Sequence, residues 1–388
     1  MSEILRDDFP FFLNNPALVY LDNAATTQKV QCVIDAMVDH MTKDNSNIGR
    51  SLYPLSSDAE KKVEDARLTA ARFINASKEE IIFTKGSTEA LNVISSSVCA
   101  ENADKGKNVV ISVLEHSSNY APWLRDCKKH NLILRIAENE DDLIGFIDEN
   151  TAIVSVTGMS NVTGFMPDIG RICGYAKQKG ALSCIDASQL AAHRSIDVKD
   201  IGCDYLCFSS HKLYGPEGVG VLYSKQQDMS HLVPLCLGGG AVDSSYCTKE
   251  GHPGFEAGTQ NIAAIIGFER ALKYLIRNYN HIKDTENELS RYLYRKMSEL
   301  KGFSLVSSEP SLICSFTSSF LSSHDLGVLL GNKGICVRTG SCCAHSLVRK
   351  ISEGGICRVS LSFYNTKDDI DALISQLEEA QKRYGGSL

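Results

Sequence analysis

The sequence predicts an α/β protein with a mostly parallel sheet covered by helices on both faces, followed by a smaller α+β part. Three observations carry this reading. Of seven short apolar runs (81–84, 109–113, 132–137, 152–157, 182–185, 205–209 and 220–223), most are of the continuous, buried type rather than alternating. Helical stretches such as 89–98 and 169–179 separate several of them, the pattern of crossover connections. The texture then changes near residue 260.

Taken in order, Ser57-x-x-Glu60 reads as a capping box that opens a helix through about Ile74. The strand 81–84 runs into Gly86-Ser87-Thr88 and a helix. Beyond residue 260 come a long helical region (262–300), strands near 303–306 and 312–317, a helix near 325–330, a strand at 357–362 and a final helix from about Asp368. The expected organisation is an N-terminal segment 1–20 packing near the small domain, a large domain 21–260 and a small C-terminal domain 261–388. A chain of 388 residues suits two such domains better than one core.

Composition narrows the function class. Apolar residues make up 43% and charged residues 22%, as in ordinary globular proteins. With a net charge of -7 and no dense Lys/Arg cluster, nucleic acid is not an expected partner. The acidic N-terminus lacks the pattern of a signal peptide, and no run approaches the roughly 18 to 20 apolar residues of a membrane span. No membrane association and a cytoplasmic location are expected. The fourteen cysteines are scattered, several of them in apolar runs, as Cys207 and Cys314 are. That usage fits small buried hydrophobes in a reducing compartment, and no metal site is expected.

Four strand ends carry chemistry. Ser209-Ser210-His211-Lys212 ends one strand, where a lysine is placed to meet a carbonyl cofactor; most lysines in such loops are merely solvated. Asp186 ends another, where a carboxylate can pair with a pyridinium nitrogen or simply cap a helix. Gly86-Ser87-Thr88 offers N–H groups and hydroxyls to a phosphate. His116, after the strand 109–113, could stack on a flat ring or be structural. Each signal is ambiguous alone; together they outline one ligand.

At this point the chain resembles the cysteine desulfurases of the class V aminotransferase superfamily, closest to their group II. The resemblance runs from Tyr20-Leu21-Asp22-Asn23-Ala24-Ala25 to Tyr364-Asn365-Thr366 and includes Thr84-Lys85-Gly86-Ser87-Thr88-Glu89, Ser160-Asn161-Val162-Thr163-Gly164, Phe255-Glu256-Ala257-Gly258-Thr259 and Arg338-Thr339-Gly340-Ser341-Cys342-Cys343-Ala344. It implies the fold-type I architecture of enzymes dependent on pyridoxal 5'-phosphate (PLP), with a seven-stranded sheet. It also implies that Lys212 carries PLP as a Schiff base, that Asp186 meets the ring nitrogen, and that Gln189 bonds the phenolic oxygen. His116 stacks on the ring, and Ser87, Thr88, Ser209 and His211 hold the phosphate. Thr259 reaches the phosphate of a neighbouring subunit, which implies a homodimer with shared active sites. Asn161, Arg358 and Arg50 bind substrate, and Cys343 in the Arg-x-Gly-x-x-Cys-Ala motif takes sulfur from L-cysteine as a persulfide, leaving L-alanine.

Lys212, His116 and Cys343 are thus the expected catalytic residues, and a sulfur-acceptor protein is an expected partner, iron–sulfur cluster assembly being the commonest destination. Two departures stand out: Ser341 and Cys342 sit where group II members often have two histidines, and Gly49 and Tyr53 differ in the segment that retains Arg50. Cys342 could compete with Cys343 or resolve its persulfide. Other readings are a selenocysteine lyase, a cysteine or cystine lyase, an aminotransferase, or a non-catalytic scaffold.

Overall fold

A computed structural model describes residues 6–49, 52–307 and 309–386. The strands, in chain order, are β1 (Val19–Tyr20), β2 (Ile81–Thr84), β3 (Asn108–Ser112), β4 (Ile133–Ala137), β5 (Thr151–Thr157), β6 (Leu182–Asp186), β7 (Tyr205–Ser209), β8 (Gly220–Ser224), β9 (Phe303–Leu305), β10 (Ile313–Ser318), β11 (Ile335–Cys336), β12 (Arg338–Gly340) and β13 (Ile356–Ser360). The chain divides into two compact units. One holds Lys29–Gly158 and Pro167–Arg277; the other holds residues 6–28, Met159–Met166 and 278–386. The helix Ile262–Ser298 carries one of the divisions.

The larger unit is built on a seven-stranded sheet of order β2-β8-β7-β6-β5-β3-β4. All seven strands lie where the apolar runs predict them. β7, β6, β5, β3 and β4 are mutually parallel, whereas β8 runs antiparallel to both β7 and β2. The reason is local: the stretch from Ser210 to Val219 holds only a short 3-10 turn, so no helical crossover intervenes and the chain must return antiparallel. Because β2 and β7 are both antiparallel to β8, they point the same way. The carboxyl ends of β2, β3, β5, β6 and β7 therefore share one edge of the sheet. Every side chain of β5 and β7 is buried, as expected of a sheet covered on both faces. Trp123, Ile94, Val109, Ile153 and Leu222 belong to the core against one face. The edge strand β2 is closed off by Glu256, whose carboxylate accepts the Phe83 N–H (2.8 Å) and both guanidinium nitrogens of buried Arg67 (2.7 and 2.9 Å).

The helix expected to open at Ser57 begins three residues earlier, spanning Pro54–Phe73. Pro54 holds its first turn, where a missing N–H costs nothing, and Ser57 lies inside the helix rather than capping it. The helix after β2 likewise starts at Ser87, so Ser87 and Thr88 occupy its first turn.

The smaller unit contains an antiparallel sheet of order β12-β13-β10-β9 and a two-stranded parallel pair, β1 with β11. Its core joins Leu21, Phe316, Leu330, Val359, Leu373 and Leu377. The final helix, Lys367–Tyr384, has a capping box between Thr366 and Asp369, and Asp369 also receives Arg6 (2.6 Å). Among the described residues no helix is long and apolar enough to cross a membrane, and no cluster of three or more His, Cys, Asp or Glu could hold a metal.

Candidate active site

The edge of the large sheet gathers most of the predicted cofactor residues. Gly86 follows β2 with φ +151°, and a Cβ there would meet Ser209 Oγ at 3.2 Å. From the other side, a Cβ on Gly220 would stand 2.6 Å from Gly86 Cα, so the two glycines let β2, β7 and β8 close together. Ser209 Oγ accepts the Ser87 N–H at 2.9 Å and lies 2.9 Å from Ser87 Oγ. Thr88 Oγ1 is 2.8 Å from Ser118 Oγ, on the helix that follows His116. The result is a group of hydroxyls at the N-terminus of the 15-residue helix Ser87–Glu101, whose dipole favours an anion.

Asp186 is the last residue of β6, only 4% exposed. Its Oδ1 accepts both the N–H (3.0 Å) and the hydroxyl (2.5 Å) of Ser188. The carboxylate is thus turned by its own loop and caps no helix; the short helix Leu190–His193 has Gln189, also buried, at its N-cap. His116 sits beyond β3 as the N-cap of the helix Ser117–His130, its Nδ1 accepting the Ser118 N–H at 3.1 Å. That bond puts the proton of the neutral ring on Nε2. Lys212 closes the 3-10 turn Ser210–Lys212 after β7. Its neighbour His211 has a pKa held down to about 4, first by burial and then by the charge of Lys212, so its imidazole is neutral at pH 7.

Two groups that sequence reasoning missed support this edge. Glu115, next to His116 in the chain, is buried, accepting from Ser112 Oγ (2.5 Å) and Asn119 Nδ2 (2.6 Å). Burial pushes its pKa up to about 8, so it is largely protonated at neutral pH. Asn119 in turn accepts from Trp123 Nε1 and Ser155 Oγ. Adjacency to His116 was the only signal available, and burial is invisible in a linear sequence.

Thr259 is exposed. It lines a cavity of about 490 Å³ together with Arg67, His252, Glu256 and Gln260. Arg50 lies outside the described residues.

The smaller unit brings together Asn161, Arg358 and the cysteine pair. Arg358 is 2% exposed; it donates to Asn161 O (2.9 Å) and Asp22 Oδ1 (3.0 Å), while its Nε is buried without a partner. Asn161 Nδ2 donates to Cys342 O at 2.7 Å, leaving its buried Oδ1 unpaired. Asp22, unassigned by sequence reasoning although it lies in a quoted motif, also takes Arg338 through both carboxylate oxygens (3.0–3.2 Å). It therefore holds two guanidiniums at once. Ala344 N–H donates to Ser341 O (2.9 Å), and Cys342 and Cys343 between them have φ of 48° and 57°. Positive φ at both central positions of such a turn defines type I′, which usually carries Asn and Gly. Cys342 points inward, 6% exposed, and Cys343 is exposed. The Arg338 guanidinium, kept protonated chiefly by its hydrogen bond to Asp22, lies within electrostatic reach of both thiols.

Hydroxyls and a helix N-terminus suit a dianionic phosphate, a carboxylate suits a protonated ring nitrogen, and a lysine suits a carbonyl. The donor set on the large sheet thus fits PLP group by group.

Comparison with known proteins agrees with this chemistry. Residues 19–373 match the family model described as aminotransferase class-V. A probable cysteine desulfurase of Halalkalibacterium halodurans is 36% identical, covering 96% of this chain and 95% of that protein. A cysteine desulfurase of Salmonella gallinarum is 34% identical over 99% of each chain. The crystal structure of the Escherichia coli cysteine desulfurase CsdA superposes with a TM-score of 0.90, at 30% identity over 98% of each chain. The apo cysteine desulfurase of Thermococcus onnurineus gives 0.93 at 30% identity, over 99% of this chain and 98% of that one. Enzymes of this family generally depend on PLP. The chain therefore belongs to the class-V aminotransferase family, among its cysteine desulfurases.

Proposed function

We propose that this enzyme binds PLP on Lys212 and moves sulfur from L-cysteine to Cys343. The observation that carries the cofactor reading is the convergence of Ser87, His116, Asp186, Ser209 and Lys212 on one sheet edge, in a family that uses PLP. The Ser87–Ser209 pair, Thr88 and the neutral His211 hold the phosphate; Asp186 takes the ring nitrogen, Gln189 the phenolic oxygen, and His116 covers the ring. PLP supplies an electron sink for negative charge developing at the substrate Cα.

The protein's own groups do the rest. The unpaired Arg358 Nε suits the substrate carboxylate. The Asn161 amide has two N–H donors; one holds Cys342 O and the second is available to that carboxylate, so the substrate site adjoins the cysteine turn. The Lys212 amine takes the Cα proton, and His116 Nε2 exchanges a proton with the substrate. The Cys343 thiolate attacks the cysteine sulfur. The Cβ–S bond breaks with its electron pair left on the carbon fragment, which is protonated and leaves as L-alanine. Substrate thiol plus enzyme thiol thus give alanine plus a persulfide on Cys343, with no external oxidant.

We further infer a cytoplasmic homodimer in which Thr259 completes the phosphate site of the second copy, and Arg50 as a substrate contact. The sulfur passes to an acceptor protein, with iron–sulfur cluster assembly as the first destination to test. Alanine release and persulfide mapping by mass spectrometry test the reading: Cys343→Ala loses both while keeping the visible absorbance of bound PLP, and Lys212→Ala loses that absorbance. Alanine formation by Cys343→Ala overturns the assignment.

A further inference from the structure

We propose that Cys342 is a second sulfur-carrying residue, which takes the outer sulfur from a persulfide on Cys343 and stores it in the interior. The inference rests on Cys343 being the persulfide residue and goes one step beyond it.

Four observations point to it. The peptide between the two cysteines is trans, which sets their Cα atoms about 3.8 Å apart, yet the turn sends one thiol inward and the other to solvent. Both residues are held at positive φ, a conformation that is unfavourable for a non-glycine residue and persists only where surroundings enforce it. Here the enforcement is visible: Asn161 Nδ2 grips the Cys342 carbonyl, and the Ala344–Ser341 bond closes the turn. The inner thiol lies in the field of two guanidiniums, Arg338 and Arg358, and the second of these has a buried Nε donor with no partner in the protein. The two cations partly offset the cost of burying a charged sulfur there.

The chemistry balances without an added reagent. The Cys342 sulfur attacks the outer sulfur of the Cys343 persulfide. A bond forms between them, the bond to Cys343 Sγ breaks, and Cys343 leaves with the electron pair as a thiolate that takes the proton given up by Cys342. One thiol and one persulfide give one persulfide and one thiol, with no net oxidation. Attack on the inner sulfur would instead expel sulfide and close a disulfide between Cα atoms about 3.8 Å apart, below the usual span of about 4.4–6.8 Å and therefore strained. The short Cα separation disfavours closure. Burial pushes the Cys342 thiol up, so its reactive thiolate is scarce and transfer is slower than loading of Cys343. A sulfur once moved inward is shielded from small reductants, and Cys343 is restored for a second turnover.

The test uses the PLP-loaded enzyme with excess L-cysteine, no acceptor and no reductant, quenched over time. Wild type should release one alanine per chain in a fast phase and a second in a slow phase. Intact mass should show two added sulfurs, and fragmentation between residues 342 and 343 should place one on each. Cys342→Ala and Cys342→Gly, the latter free to adopt positive φ, should keep the fast phase and stop at one sulfur. If wild type also stops at one, or both sulfurs lie on Cys343 and persist in the Cys342 variants, the second station does not exist and the persulfide reading stands. If Cys343→Ala loads Cys342 directly, transfer from Cys343 is refuted and that reading falls with it.

Discussion

Replacing Glu115 with Gln isolates the contribution of one buried proton. The carboxyl is enclosed in the interior, with Oε1 against Ser112 Oγ (2.5 Å) and Oε2 accepting from Asn119 Nδ2 (2.6 Å). Burial, with a smaller push from Asp186, raises its pKa from 4.5 to about 8. The folded state therefore holds this proton through a range in which the unfolded chain has lost it. A raised folded pKa gives stability that is fully present below the unfolded value and lost as pH climbs through the folded one. Each unit of such a shift corresponds to about 1.4 kcal/mol, so the loss between about pH 4.5 and 8 reaches about 4–5 kcal/mol at most. Gln is the shape of the protonated acid. Its Oε1 can still accept from Asn119, and its Nε2 can donate to Ser112 Oγ. The variant should match wild type near pH 5 and exceed it by up to that amount at pH 8.5. Denaturant titrations of both proteins at pH 5, 6, 7, 8 and 8.5 measure the difference. Two curves that run parallel across this range would refute the buried-acid assignment.

Three further outcomes follow from the same geometry. Gly86→Ala places a side chain where φ is +151° and Ser209 Oγ lies 3.2 Å from the new Cβ, so it should cost roughly 1–3 kcal/mol in stability and weaken PLP retention on dialysis. Asp186→Asn should keep bound PLP but slow alanine formation on the order of 100-fold or more, since the carboxyl proposed to pair with the ring nitrogen is lost; unchanged kcat would exclude the ring-nitrogen role. Asp22→Asn removes the anion shared by Arg338 and Arg358; two guanidiniums left without it should lower stability by about 1–3 kcal/mol and raise KM for L-cysteine more than they change kcat, as steady-state kinetics would show.

Much of the large unit is legible in the sequence because a strand buried on both faces must be apolar along its whole length. That is why β2, β3 and β5 to β8 coincide with apolar runs, whereas the edge strand β4, though also found where an apolar run predicts it, is largely uncovered. Asp186, Lys212, His116 and the Ser87–Thr88 pair are legible for a related reason: ligand chemistry in such a sheet collects where apolar strands end in polar residues. The cysteine motif is legible by resemblance alone, since nothing in the spacing of fourteen cysteines distinguishes Cys343 from the rest.

Three features were decided by tertiary structure. The direction of β8 depends on how a short connection closes, and an apolar run reads the same in either direction. The protonation of Glu115 depends on desolvation by segments remote in sequence, and a lone carboxyl beside a histidine carries no mark of that. Asp22, Arg338, Arg358 and Asn161 come from four separate stretches of chain and meet only after β12 and β13 pair, setting the opposed exposure of Cys342 and Cys343. Strand patterning is a short-range consequence of burial and survives in one dimension; charge pairing and desolvation arise from long-range contacts, and only the folded chain contains them.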